Sequence, residues 1–287
     1  MKLPPLIKLM RPHQWAKSLF VLAPLVFTPS AFTAANLINM ALAFVCFSAV
    51  ASSVYILNDY KDREADRQHP RKKNRPLAAR TVSTSSALVL FYCLLTVSFT
   101  VSFIALPISW FWLLLTYFAI NIFYCLGAKN WPLVDVGIIA SGFVLRVVGG
   151  CFVLQVVPSA WILITTLFLV LFLAFGKRRD DLVQKYKARK SLKGYNEPFV
   201  NAAMLVLGTC SILTYTLWTL DDEVILRLDA PYLYATTPFV VMGFLRYLQI
   251  CFVEEKGGQP TETALTDKPL VTILFLWLCT FAVLVYI

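Results

Sequence analysis

Apolar residues in this chain come in long, nearly unbroken runs, and the short stretches between them carry most of the charge. The hydrocarbon core of a bilayer takes about 20 helical residues to cross. Runs of that length lie near 17–36, 37–57, 84–105, 108–126, 133–154, 158–176, 198–220, 230–253 and 269–287. The pattern predicts an all-α polytopic membrane protein with nine transmembrane helices. No soluble domain of useful size fits between the runs, so residues 1–287 read as one integral membrane domain.

Two polar segments are longer than the rest. Asn58 to about Thr84 holds eight Lys and Arg beside four acids, and Gly176 to about Pro198 again holds eight Lys and Arg. Each follows a span, and those two spans are four helices apart, which suggests two four-helix halves. With the N-terminus in the cytoplasm, all of the 26 Lys and Arg except Arg146, Arg227 and Arg246 fall on the cytoplasmic side. This is the positive-inside pattern, and it predicts N-terminus in, C-terminus out. The outer loop with Arg227 also carries Asp221, Asp222, Glu223 and Asp229. The dense polar motifs, and with them the chemistry, therefore belong to the cytoplasmic face.

Composition agrees with the pattern. A hydrophobic share of 59% and a mean hydropathy of +0.70 exclude a soluble protein. The net charge of +10 then reads as a topology signal with affinity for anionic lipid or phosphorylated substrates, not for nucleic acid. The seven cysteines lie in or beside apolar spans without a CxxC pair and read as small buried hydrophobes. His13 and His69 are far apart and have no metal-site spacing. Lys17 at the head of the first run, with Pro24 and Pro29 inside it, argues for a retained helix over a cleaved signal peptide.

The candidate chemistry starts at Asn58-Asp59-Tyr60-Lys61-Asp62-Arg63-Glu64-Ala65-Asp66, directly after an apolar run. At about 100° per residue, a continued helix places Asn58, Asp62, Asp66 and Asp59 within roughly a 100° arc. Glu64, Arg63 and Arg67 fall off it. Aligned carboxylates repel one another unless a hard cation joins them, and Mg²⁺ carrying a substrate's phosphates is the usual occupant. A solvated loop of mixed charge would explain the composition but not the one-sided Asp placement. Arg146, mid-span, must face the bundle interior. It reads either as a phosphate clamp or as an arginine that holds the bundle together. Lys177 and Arg178 close the sixth span, where Arg offers bidentate contacts and Lys a point charge to a pyrophosphate. Lys17 and Arg11 are candidates for a lipid phosphate or mere markers of the inner side, Arg75 has the same ambiguity, and Trp15 suits a headgroup anchor. There is no GxxxxGK[ST], HExxH or GxSxG, so nucleotide hydrolysis, zinc proteolysis and serine hydrolysis lack support.

Asn-Asp-x-x-Asp-x-x-x-Asp after the second of nine helices resembles the UbiA-type intramembrane prenyltransferase superfamily. The likeness is greatest to its polyprenyl-phosphate phosphoribosyltransferase branch. Arg11-Pro12…Gln14-Trp15…Lys17, Asn58 to Arg67 with Arg75-Pro76, and Ser141-Gly142-Phe143…Arg146…Gly149-Gly150 are similar to that branch. So are Gly176-Lys177-Arg178, Gly194-Tyr195, and Arg246-Tyr247 with Gly257-Gly258 and Asp267. One departure stands out. The superfamily's second Asp-x-x-x-Asp is replaced by Gly-Lys-Arg-Arg-Asp-Asp-Leu, and Gln184 stands four residues after Asp180. The resemblance implies a single transferase domain over 1–287, a UbiA-type bundle whose cavity faces the cytoplasm, and a bacterial plasma membrane.

It further implies transfer of 5-phosphoribose from phosphoribosyl pyrophosphate to a polyprenyl phosphate, a step toward a lipid-linked arabinose donor. Asn58, Asp59, Asp62 and Asp66 would bind Mg²⁺. Asp59, Asp62 and Lys177 are the expected catalytic residues, and Lys17, Asn58, Asp66, Arg75, Arg146, Lys177 and Arg178 the expected substrate contacts. Alternatives are an aromatic prenyltransferase using a polyprenyl diphosphate and, from another class, a lipid-phosphate carrier. Membrane lipid is a partner in each case, and a homo-oligomer stays open.

Overall fold

The computed structural model of the chain describes residues 4–68, 72–184, 190–256 and 260–287. His69, Lys185 and Gly257-Gly258 lie outside the described residues. Twelve α-helices follow in order: α1 (Pro5–Met10), α2 (Ala23–Val26), α3 (Ala34–Arg67), α4 (Thr84–Ala105), α5 (Ile108–Leu126), α6 (Val134–Leu154), α7 (Ala160–Val183), α8 (Glu197–Thr219), α9 (Asp222–Leu228), α10 (Thr237–Phe252), α11 (Pro260–Thr266) and α12 (Lys268–Tyr286). Among the described residues there is no strand. Among the described residues, eight helices are long and apolar enough to cross a membrane: α3 to α8, α10 with the 3₁₀ turn Leu233–Thr236 before it, and α12. The starts of α3, α4 and α8 follow from side-chain caps that satisfy otherwise orphaned N–H groups. Thr33 accepts from the Asn36 amide at 3.2 Å, Ser83 from Ser86 at 3.0 Å and Asn196 from Phe199 at 2.9 Å.

The expected first span is where the structure departs from the periodicity. Residues 12–31 are a 3₁₀ helix (Pro12–Val21), the single turn α2, and a 3₁₀ turn (Pro29–Ala31), not one continuous helix. Pro24 and Pro29 each lack an N–H and cannot complete an α-helical ladder, so a run that hydropathy reads as uniform folds in pieces.

The chain divides into two compact units. The first comprises Met1–Leu25, Ala31–Lys129 and Leu145–Val157; the second comprises Val26–Ser30, Asn130–Val144 and Pro158–Ile287. Helix α6 thus gives its first half to the second unit and its second half to the first. In the first unit α3 packs against α4 and α5 around Met40, Phe47, Trp110 and Leu114, all essentially inaccessible. Close approach there depends on Gly150, where a Cβ would stand 2.0 Å from the carbonyl oxygen of Val21. In the second unit α7 packs along α8, and α10 against α12. Phe172, Met204 and Tyr247 fill the core between α7, α8 and α10.

Candidate functional site

Helix α3 carries the acidic motif. Its 34 residues span about 50 Å at 1.5 Å per residue, well beyond the roughly 30 Å hydrocarbon core. The polar C-terminal turns therefore project past the apolar part without a break. The predicted arc is real. Asp59 and Asp66 are buried at 2% and 3% exposure, while Lys61, Glu64 and Ala65 are exposed on the opposite side.

The four expected metal ligands sort into two pairs, each converging on a cation of the chain itself. Asn58 and Asp62, one turn apart, meet at Lys129. Its ammonium donates to both Asp62 oxygens at 2.6 and 2.8 Å and to Asn58 Oδ1 at 3.3 Å. Asp59 and Asp66, two turns apart, meet at Arg75, whose Nη1 lies 3.1 Å from one and 2.6 Å from the other. Asp59 also accepts from Arg11 Nη2 at 2.6 Å. Three carboxylates are thus matched by three cations. Burial makes such matching necessary, because an isolated carboxylate at 2–3% exposure would carry a large desolvation cost.

Arg11 reaches Asp59 from an unusual backbone. It caps α1 in the left-handed region (φ 54°, ψ 59°) immediately before Pro12, a conformation that costs a non-glycine residue of order 1–3 kcal/mol. The N-terminal segment is also tied to α3 through Trp15, whose Nε1 donates to Ser52 Oγ at 3.0 Å. Trp15 was expected as a headgroup anchor; its indole N–H is instead spent inside the protein. Ser52 in turn donates to the Met10 carbonyl at 2.9 Å.

Deeper along the first unit, Arg146 is 4% exposed. Its guanidinium lies 4.6 Å from the Phe47 ring centroid and 4.9 Å from that of Tyr117, and donates to Tyr117 Oη at 3.1 Å. The aromatic faces satisfy a cation that hydrocarbon would not tolerate. Half-buried Lys17 lies within electrostatic reach of both Arg146 and Arg11. Three cations therefore gather in this part of the unit, and such a gathering favours an anionic visitor.

The second unit holds the other expected residues, and here one assignment changes. Arg178, expected to grip phosphate, is 1% exposed, with Nε and Nη2 each 2.9 Å from Asp135 Oδ2. Tyr195 donates to the other oxygen of Asp135 at 2.8 Å. The guanidinium is consumed by an internal network because an arginine buried this deeply requires a fixed counter-ion. Its neighbour Arg179 binds Asn201, Glu197 and the Cys251 carbonyl. Lys177, by contrast, is exposed. At the position of the missing second Asp-rich motif, Gln184 donates to Asp180 Oδ1 at 2.7 Å. An amide thus occupies the place where the superfamily pattern has a second carboxylate.

Lys129 is the residue that sequence reasoning missed. It sits in a 3₁₀ turn (Ala128–Asn130) after α5, 67 residues from Asp62, and a lone lysine between two apolar runs looks like any inner-side charge. Among the described residues no three His, Cys, Asp or Glu converge as a ready metal cage. The donor set nevertheless fits a hard cation. Asn58 Oδ1 and both Asp62 oxygens already converge on one positive charge, the Lys129 ammonium, and all are oxygen ligands of the kind Mg²⁺ takes.

Comparison with known proteins identifies the family and the fold. The UbiA prenyltransferase family matches residues 18–260. The decaprenyl-phosphate phosphoribosyltransferase of Corynebacterium glutamicum is 34% identical over 290 residues, covering 98% of this chain and 87% of that protein. That of Mycobacterium tuberculosis is 30% identical over 289 residues, covering 96% and 92%. Among solved structures, a UbiA homolog from Archaeoglobus fulgidus bound to GPP and Mg²⁺ superimposes with a TM-score of 0.72 at 19% identity, over 99% of this chain and 100% of that one. The fold is the UbiA fold, and the chain is a member of the UbiA prenyltransferase family.

Proposed function

We propose that this chain is a single membrane transferase domain that moves 5-phosphoribose from phosphoribosyl pyrophosphate to a polyprenyl phosphate, with release of pyrophosphate, in a bacterial plasma membrane. The observation that carries the reading is its likeness along nearly the whole chain to relatives named decaprenyl-phosphate phosphoribosyltransferase. Two features of the site agree with it. The acidic motif on α3 is ringed by Arg11, Arg75 and Lys129, cations suited to a donor rich in phosphate. The second acidic motif is replaced by the Asp180–Gln184 pair, which favours one carboxylate-held cation over two.

The acceptor phosphate is anionic near neutral pH and is itself the nucleophile, so the protein needs no general base. The barrier lies in breaking the ribose C1–O bond, as positive charge grows on the sugar ring and negative charge on the departing pyrophosphate. Mg²⁺, when bound, would supply charge stabilisation to that leaving group. Asn58 and Asp62 are assigned to hold it, with Asp59 beside them. Asp66 and Arg75 orient the motif and contact the donor. Lys17 and Arg146 are assigned to the acceptor phosphate, Arg146 being held in place by Tyr117 and Phe47. In the second unit, exposed Lys177 is assigned to a donor phosphate.

The test is direct. Purified protein in nanodiscs should release pyrophosphate from phosphoribosyl pyrophosphate and a polyprenyl phosphate, and should make no product from a polyprenyl diphosphate and an aromatic acid. Product from the second pair and none from the first would replace this reading with an aromatic prenyltransferase.

A further inference from the structure

Lys129 is engaged as fully as an ammonium can be. It has three N–H donors and meets three acceptor oxygens, two from Asp62 and one from Asn58, at 2.6, 2.8 and 3.3 Å. The contact is no loose surface pair. The lysine side chain is 19% exposed and Asp62 32%, and the 3₁₀ turn that carries Lys129 follows α5, which packs against α3. The surrounding charge is balanced, with Asp59, Asp62 and Asp66 set against Arg11, Arg75 and Lys129. A free dication approaching this cluster finds no net negative charge, and it must displace an ammonium that already fills the acceptors. A dication arriving with pyrophosphate brings its own anion, and that anion offers the displaced ammonium a new partner.

We propose that Lys129 is a built-in placeholder for the divalent cation. It holds Asn58 and Asp62 while the site is empty, and it moves to phosphate oxygens when a pyrophosphate-bearing donor and its cation enter together. The inference rests on the metal assignment made under the proposed function and adds a consequence to it. Metal and donor should bind with strong mutual coupling, and Lys129 should be the source of much of that coupling. Ion exchange of this kind keeps Asp62 and Asn58 aligned before the donor arrives and disfavours a bare metal ion in an idle site. It makes Lys129 a positioning residue in the empty site and a phosphate contact in the filled one.

The experiment uses Mn²⁺ as the probe, titrated against the full-length purified protein in nanodiscs and read as loss of the free-ion electron paramagnetic resonance signal. Wild type should bind Mn²⁺ alone weakly. Lys129→Met should bind it roughly tenfold more tightly, within the range typical of couplings between sites. Lys129→Arg, which keeps the charge, should remain within about twofold of wild type on the same coupling scale. Retention of radiolabelled phosphoribosyl pyrophosphate on a filter should rise with Mg²⁺ in wild type, and this dependence should shrink in Lys129→Met. Equal or weaker Mn²⁺ binding by a monodisperse Lys129→Met overturns the placeholder. If Lys129→Met is not monodisperse, the comparison passes to Lys129→Gln under the same criterion. A different pattern would remove the metal assignment itself and the placeholder with it: Mn²⁺ binding that Asp62→Asn leaves unchanged in both the wild-type and the Lys129→Met backgrounds.

Discussion

At the scale of single residues, the acidic motif is a set of ion pairs with Arg11, Arg75 and Lys129. Asp59→Asn and Asp62→Asn change charge without changing size, so each should abolish turnover while insertion and folding persist. Retention of more than about a tenth of the wild-type rate, a change under ~1.4 kcal/mol, would end the assignment of either residue. Arg75→Ala should behave differently. It strips the shared partner from two carboxylates that are 2% and 3% exposed, and breaking a buried pair from one side costs about 3–5 kcal/mol. Because Arg75 is itself 24% exposed, the lower end of that range applies, and the loss should appear as a lower melting midpoint as well as lost activity. Lys177→Ala should raise KM for the donor or lower kcat, with little effect on polyprenyl-phosphate binding. A change within about twofold would mark it as a solvated charge worth ~0.5 kcal/mol or less.

The same scale shows what the sequence could reveal. The Asp arc was legible because helical phase is a local property, and Asp59, Asp62 and Asp66 lie within one continuous helix. The partners were not, since Lys129 and Arg11 reach α3 across 67 and 48 positions by packing alone. Arg178 looked like a phosphate ligand because nothing in its neighbourhood reveals that Asp135, 43 residues earlier, would enclose it.

At the scale of elements, helix ends were easier to read than continuity. The runs at 84–105 and 108–126 are α4 and α5 to the residue, since caps and prolines end helices where hydropathy falls. The run 17–36 was read as one span because apolar content says nothing about a missing N–H at Pro24. Its packing gives a sharp test. Gly150→Ala places a methyl group against the Val21 backbone, which cannot rotate away as a side chain can. Overpacking of this kind costs about 1–3 kcal/mol, and a fluorescence-detected melting curve should fall accordingly. At the other end of the chain, Asp267 caps α12 by accepting from the Leu270 amide at 2.9 Å, and it accepts from Arg246 at 2.6 and 3.1 Å. Arg246 holds the Asp267 carboxyl below the usual range. The contribution is therefore complete above the unfolded value near 3.9 and is lost as pH falls through the lower folded value. Asp267→Ala should destabilise by about 1 kcal/mol at pH 7, and this difference should vanish in strong acid.

At the scale of the molecule, the question is how many times the chain crosses the bilayer, and α3 serves as the ruler. Arg11 pairs with Asp59 near the polar end of α3, while the carbonyl of Ala31 accepts from Asn36 Nδ2 at 2.9 Å near its start. Asn36 and Asp59 are about 35 Å apart along a helix that rises 1.5 Å per residue, more than the roughly 30 Å hydrocarbon core. The segment between Arg11 and Ala31 must cover that distance antiparallel to α3, even though it is broken and is not one of the eight span-length helices. Its 3₁₀ portion helps, since it rises about 2.0 Å per residue. Counted this way the prediction is nine crossings with the termini on opposite faces and, from the basic loops, the N-terminus inside. In a background without native cysteines, a membrane-impermeant thiol reagent applied to intact cells should label Asp222→Cys and leave Lys193→Cys untouched. A tag before Met1 should be reached only after permeabilisation, and a tag after Ile287 without it. If both tags were reached from outside, residues 12–31 would not cross; if Lys193→Cys were labelled, the acidic motif would face away from any cytosolic donor.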